Sequence, residues 1–396
     1  MRQLTEGVYW VGVTDWNLRH FEGHEISVHR GSTYNAYLIK DEKTVLVDTV
    51  WAPHADRLIE NIKEVIDIGK IDYVVANHAE PDHSSALPAI MDLVPEATVI
   101  VSRRGEESIK RYYQRDWKMK VVTTGDRLSL GSNELVFIEA SMLHWPDSMF
   151  TYLTGKNILM SNDAFGQHYA ASGLFNDEVD STEVYQEAIK YYANILNPFG
   201  RLVARKIDEL KSLNFPIDII APSHGIIWRQ DPMQIVQKYY EWATGPARPG
   251  AVIAYSTMWG ATAKLAEAVA RGLDEVRADY KLFNVAVSDK SDILTEIFLA
   301  RGLLLGSSTI NGLTLSTLAP LVEEIKGLKF RDKIGAAFGS YGWSGEGVKL
   351  LEEELQKANV KVVQEGIKYK YMPNEAELTE CVAFGRSFGE KLLGNG

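Results

Sequence analysis

The segment Asn77-His78-Ala79-Glu80-Pro81-Asp82-His83 places two imidazoles and two carboxylates within six residues. It follows the apolar run Ile71 to Ala76, so these side chains are expected on a loop at the C-terminal end of a strand, where ligands collect in layered α/β proteins. Three more candidates also follow apolar runs. His144 sits in Met142-Leu143-His144-Trp145-Pro146, Asp163 comes after Ile158 to Asn162, and His224 lies in Pro222-Ser223-His224-Gly225. Alone, each reads as easily as a structural residue. Together they bring seven nitrogen and oxygen donors from four strand ends, enough for two metal ions. His20, His29 and His54 are read as structural.

The elements that must position these donors follow from the rest of the chain. Its 396 residues exceed one compact core, and 45% hydrophobic with 24% charged residues is ordinary for a globular protein. All nine histidines fall within the first 224 residues, so a histidine metal site belongs to the N-terminal part. Strand-like runs there include Val8 to Val13, Tyr34 to Ile39 and Thr44 to Asp48, with a helix around Asp56 to Ile66. Gly245-Pro246-Ala247-Arg248-Pro249-Gly250 is the expected linker. It separates a domain over 1–246 from one over 250–396. In the second, strands are expected near 251–256, 281–287, 302–307, 333–340 and 362–371, alternating with helices, which predicts a doubly wound parallel sheet.

Three loops of that second domain could hold a cofactor. Ser256-Thr257-Met258-Trp259-Gly260-Ala261-Thr262 joins its first strand to a helix. Hydroxyls, a glycine and a helix N-terminus there suit a phosphate. Neither a Walker ending nor a Gly-x-Gly-x-x-Gly fingerprint is present. Ser307-Ser308-Thr309-Ile310-Asn311-Gly312 and Ser340-Tyr341-Gly342-Trp343-Ser344 follow the third and fourth strands, and their aromatic and glycine residues suit a flat ring.

The first domain resembles the metallo-β-lactamase fold, an αββα sandwich whose hydrolases carry His-x-His-x-Asp-His and usually bind zinc. Here Glu80 stands where the second histidine would be. A carboxylate makes the site harder and more anionic, which suits redox-active iron. His-x-Glu-x-Asp-His followed by a flavodoxin-like domain resembles the flavodiiron proteins across essentially the whole chain. The resemblance implies one iron on His78, Glu80 and His144, and another on Asp82, His83 and His224, with Asp163 bridging; some family members lack coordination by the histidine matching His83. It implies FMN on the three loops, and His24, His168 and Tyr191 as pocket residues. The implied activity is reduction of dioxygen to water, of nitric oxide to nitrous oxide, or both.

The same resemblance implies a head-to-tail homodimer or a dimer of dimers, and an external electron donor, rubredoxin or a reduced deazaflavin coenzyme. Cys381 is the single cysteine, so the chain contains no Cys-x-x-Cys rubredoxin site. A reducing cytoplasm fits that usage. The net charge of -11 argues against nucleic acid, and no apolar run reaches the roughly 18–20 residues that span a membrane. Two rivals remain at this point: a zinc hydrolase fused to a flavodoxin-like domain, and a flavin electron carrier or gas sensor with a regulatory metal.

Overall fold

The computed structural model describes residues 1–394. The chain divides into two compact units. One comprises Met1–Phe21, Val28–Tyr192 and Phe199–Thr244; the other comprises Glu22–Ser27, Ala193–Pro198 and the chain from Gly245 onward.

In the first unit two sheets face each other. One runs Arg2–Thr5, Val8–Trp10, Tyr37–Lys40, Thr44–Val47, Ile71–Ala76, Thr98–Ser102, Met119–Val122 in spatial order. The other runs Arg127–Ser129, Glu134–Glu139, Met149–Leu153, Ile158–Asn162, Ile219–Pro222. The period of two along each strand decides what goes where. Tyr37, Ile39, Val45, Val47, Val75 and Ile100 point between the sheets, against Leu135, Phe137, Met149 and Met160. Their neighbours Leu38, Leu46, Val74, Val99 and Val101 point outward, under Leu58, Ile62, Leu87, Ile90 and Ile109 from helices. Both faces are therefore apolar, which explains why these strands read as continuous hydrophobic runs.

The expected strand Tyr34 to Ile39 is two strands, Ser32–Tyr34 and Tyr37–Lys40. Asn35 breaks it: its N–H donates to the Ser223 carbonyl at 2.7 Å, and its amide donates to the carbonyls of Pro222 and Gly225. The polar turn after it does form the expected hairpin, with Tyr37 opposite Val47. The helix at 56–66 is shorter, spanning Ala55–Lys63.

The second unit is a parallel sheet ordered Asp279–Asn284, Arg248–Ser256, Ala300–Ile310, Ile334–Tyr341, Lys361–Val362. That order reverses after the first strand in sequence, the flavodoxin-like arrangement, and it opens a crevice at the strand C-termini. Helices Ala261–Glu275 and Glu375–Leu393 cover Ile253, Leu304 and Phe338 on one face. Helices Lys290–Leu299, Ala319–Leu328 and Gly347–Lys357 cover Val252, Leu303 and Ala337 on the other.

Three sequence expectations shift here. Residues 248–250 belong to the strand Arg248–Ser256 rather than to a linker, and its register is irregular between Arg248 and Ala251, where Pro249 has no N–H to give. The third strand continues to Ile310 and turns back through Asn311-Gly312, both at positive φ, to pair Ile310 with Leu313. The last expected strand is interrupted, as Lys361–Val362 and Ile367–Lys370.

Helices Ala261–Glu275 and Glu375–Leu393 cross through glycines. A Cβ on Gly385 would lie 2.0 Å from the Val269 carbonyl oxygen, and one on Gly272 would lie 2.1 Å from that of Val382. Backbone cannot yield as a side chain does. Gly385→Ala is therefore expected to destabilise this unit by about 1–3 kcal/mol, read as a lower denaturant midpoint at unchanged slope.

Candidate functional site

Four strand ends meet at one edge of the facing sheets. The loop after Ile71–Ala76 carries His78 and Glu80, and the short helix Pro81–Ser84 carries Asp82 and His83. His144 follows Glu134–Glu139, Asp163 follows Ile158–Asn162, and His224 follows Ile219–Pro222. The last two strands pair in parallel with Asn162 beside Pro222, which brings Asp163 next to His224. Gly225 makes the turn after His224 at φ +74°, where a Cβ would sit 1.9 Å from the Gln167 amide oxygen, so no other residue fits.

The donors fall into two groups, with Asp163 between them. Its Oδ2 lies 3.6 Å from His78 Nε2 and 3.6 Å from His144 Nε2. Glu80 Oε2 completes that group, 3.1 Å from His78 and 3.3 Å from His144. The other oxygen, Oδ1, lies 3.0 Å from His83 Nε2 and 3.7 Å from His224 Nε2. Asp82 Oδ2 completes the second group at 3.1 and 2.9 Å from the same nitrogens. Donors that surround an ion at about 2.1 Å are separated by about 3.0–3.4 Å, so the spacing fits two ions sharing one carboxylate.

A second observation supports that fit. Both oxygens of Asp82, His83 Nε2, His224 Nε2 and Asp163 Oδ2 are buried without a hydrogen-bond partner. Buried polar atoms in that state are costly unless something else meets them, and here they converge on common points. The histidines are aimed from behind. His224 Nδ1–H donates to the Thr33 carbonyl at 2.7 Å, and His78 Nδ1 is 3.0 Å from Asp147 Oδ2. Asp48 binds the N–H and amide of Asn77, whose own amide oxygen accepts from Thr151 on the opposite sheet. That chain locks the His-x-Glu loop across the sandwich.

Asp147, Asn77, Asp48 and Thr33 did not stand out in the sequence. Asp147 lies three positions after His144 on the same loop, which was its one available signal.

His168 and Tyr191 stand against the second group. The His168 ring is 5.0 Å from that of His224 and 5.0 Å from that of Tyr191. Ser32 Oγ meets its Nδ1 at 2.9 Å, while Nε2 is buried without a partner. Burial, with His224 beside it, pushes His168 well below the usual imidazole range, so its ring is neutral; burial pushes the Tyr191 phenol well up, so it keeps its proton. His24 is exposed, on the turn Glu22–His24 that belongs to the second unit. His54 meets Asp15 at 3.3 Å.

In the second unit the three predicted loops share the C-terminal edge of the sheet. Gly260, at φ +86°, begins the helix Ala261–Glu275, and its N–H reaches Thr257 Oγ1 at 3.2 Å. Thr262, Ser308 and Ser340 tie the loops together, with hydroxyl separations of 2.9, 2.9 and 3.1 Å. Ser256 pairs with Thr317 instead. Met258, Trp259 and Trp343 are exposed, the two indoles at 86% and 83%, which leaves flat apolar surface beside a helix N-terminus. Ser307 and Thr309 turn to the backbone: Ser307 Oγ accepts from the Leu315 N–H and Thr309 Oγ1 from that of Gly347. Ala261, Ile310, Asn311, Gly312, Tyr341, Gly342 and Ser344 complete the predicted set along the same edge.

Without metal, both groups of charges respond to pH. Burial alone would lower His83, but the Asp82 and Asp163 carboxylates outweigh it and lift the imidazole from 6.5 to about 9. That pairing stabilises fully below pH 6.5 and is lost as pH climbs through about 9. Burial opposes ionisation of Glu80, yet His144 and His78 bring it from 4.5 down to about 2, so its share is lost only as pH falls toward that value. The metal-free protein should therefore melt progressively lower between neutral pH and pH 9, and adding metal at pH 7 should release protons into a weakly buffered dye solution.

Residues 33–225 match the family described as ODP family beta lactamase, and residues 253–385 match flavodoxin. A nitric oxide reductase from Moorella thermoacetica is 48% identical, covering 98% of both chains. The rubredoxin oxygen:oxidoreductase of Desulfovibrio gigas superposes with TM-score 0.97 at 36% identity, over 99% of this chain and 98% of the other. The flavodiiron protein of Giardia intestinalis gives TM-score 0.95 at 32% identity, over 100% and 97%. With this extent of likeness over both units, the chain belongs to the flavodiiron family and is an oxidoreductase.

Proposed function

We propose that this protein reduces nitric oxide to nitrous oxide, with electrons passed from an external donor through FMN to the metal pair. Its cofactors are FMN and a non-haem diiron pair. The carrying observation is Asp163, which turns one carboxylate oxygen to each of two histidine–carboxylate groups. The assignment of His78, Glu80 and His144 to one iron, and of Asp82, His83 and His224 to the other, is part of this reading. So are FMN on the loops at 256–262, 307–312 and 340–344, and a boundary between domains over 1–246 and 250–396. The relatives' names favour a reductase over a zinc hydrolase.

Iron bound by these residues would supply one-electron steps, and bound FMN would supply electrons singly or in pairs. The overall balance is two NO, two protons and two electrons to N2O and water. The chain's own residues do the rest. Burial of His78, Asp82, His83, Asp163 and His224 keeps bulk water from them and strengthens the charge interactions they make, while Glu80 and His144 are half-buried. His168 Nε2, buried and unpaired beside His224, offers a hydrogen-bonding point next to the reacting position, with the Tyr191 phenol beside it as a second proton holder. Dioxygen is the second reading, favoured by the printed name of the Desulfovibrio gigas relative.

Rubredoxin is the proposed donor, with a reduced deazaflavin coenzyme as the other candidate. A head-to-tail homodimer would set the flavin of one subunit beside the irons of the other, and the cytoplasm is the proposed compartment. Among the described residues no helix is long and apolar enough to cross a membrane. Anaerobic mixing of the reduced protein with excess nitric oxide should give many turnovers and N2O by gas chromatography; a single slow reoxidation would refute the reading. Asp163→Ala is expected to lose both irons, and Glu80→Ala to lose more than about a hundredfold in turnover, beyond the 10–100-fold typical of outer-partner changes. Metal analysis and N2O yield check both, and full turnover by Glu80→Ala would overturn the assignment.

A further inference from the structure

The two donor groups are formally equal. Each has two imidazoles, one carboxylate and one oxygen of Asp163. What lies behind them is not equal. His224 Nδ1–H donates to a neutral acceptor, the Thr33 carbonyl at 2.7 Å. His78 Nδ1–H donates to a full negative charge, Asp147 Oδ2 at 3.0 Å. The same oxygen accepts the Ala79 N–H at 2.7 Å, while Asp147 Oδ1 is buried with no donor at all. The Asp147 side chain is fully buried, and among the described residues no lysine or arginine is ion-paired with it. Its ion-pair partner is the His78 ring, which passes the charge on to whatever that ring binds.

We propose that Asp147 makes the two metal positions electrically unequal, so that the ion held by His78, Glu80 and His144 takes the higher charge and the ion held by Asp82, His83 and His224 takes the lower. A carboxylate behind an imidazole raises its basicity as a ligand, and a buried unpaired charge acts at low dielectric. In the half-oxidised pair the ferric ion therefore sits on His78 and the ferrous ion on His224, next to His168 and Tyr191. Asp147 is a positioning and tuning residue for the pair and touches no substrate. This rests on the two-metal reading above.

Asp147→Asn is the informative change. One oxygen of Asp147 receives both hydrogen bonds, so an amide oxygen can keep both while the charge is removed. Iron-loaded wild-type and variant proteins are compared by potentiometric titration with low-temperature electron paramagnetic resonance. Both should hold two irons, and the formation constant of the half-oxidised state should fall at least tenfold in Asp147→Asn, about 59 mV less separation for a one-electron couple. Two irons with an unchanged constant would overturn the inference and leave the metal reading standing.

A site-resolved measurement needs no variant. Metal-free wild-type protein receives one equivalent each of Ga(III) and Zn(II), and anomalous diffraction at the two absorption edges locates each ion. Ga(III) on His78, Glu80 and His144 with Zn(II) on Asp82, His83 and His224 is the expected result. The opposite placement, or equal mixing, would overturn the inference. Absence of both ions from the cluster would instead take down the metal reading on which it rests.

Discussion

Everything in the first unit is arranged around one carboxylate that must serve two neighbours at once. Asp163 can turn one oxygen to each donor group only if both groups arrive from opposite sides at a distance of a few ångströms. One sheet delivers His78, Glu80, Asp82 and His83, and the other delivers His144, Asp163 and His224. The apolar layer between the sheets thus sets the separation of the donors. A slip of one residue in either register would turn the donors' strands inside out and dissolve the site.

Holding so many polar groups in a dry place has a cost that the surrounding bonds contain. Five of the seven donors, His78, Asp82, His83, Asp163 and His224, are buried, and several of their atoms meet no protein partner. The compensation comes from the outer layer: Thr33, Asp147, Asp48, Asn77 and Ser223 fix the orientations before any ion arrives. Ser223 Oγ, for example, donates to Asp163 Oδ1 at 3.1 Å. Preformed orientation of this kind reduces the reorganisation that binding would otherwise require.

How much of this was legible in the chain depends on the range of the forces involved. The donors were readable because chemistry demands particular side chains at strand ends, and periodicity marks the strands. The alternation of strands and helices after residue 250 was readable for the same reason. What escaped were features set by contacts between distant segments. Asn35 splits a strand because the turn at His224 needs its hydrogen bonds, nearly 190 positions away. Asp147 looks like any loop aspartate until the fold lays it behind His78. Arg248 to Gly250 read as punctuation from their prolines and glycines, yet the neighbouring strand recruits them into the sheet. The loops at 256–262, 307–312 and 340–344 share one sheet edge, as the strand order implies, but which of their hydroxyls bond one another is decided by packing, as the Thr262–Ser308–Ser340 contacts show.

The parallel pairing of Ile158–Asn162 with Ile219–Pro222 separates two jobs that other folds combine. Because the register of those strands fixes Asp163 against His224, the long crossover from Ala164 to Asp218 carries none of the seven donors. That crossover is where His168 and Tyr191 reside. The side chains beside the second donor group therefore sit on a segment distinct from the strands that set Asp163 against His224. Side chains on that segment can change while the strand register that sets the donors stays the same.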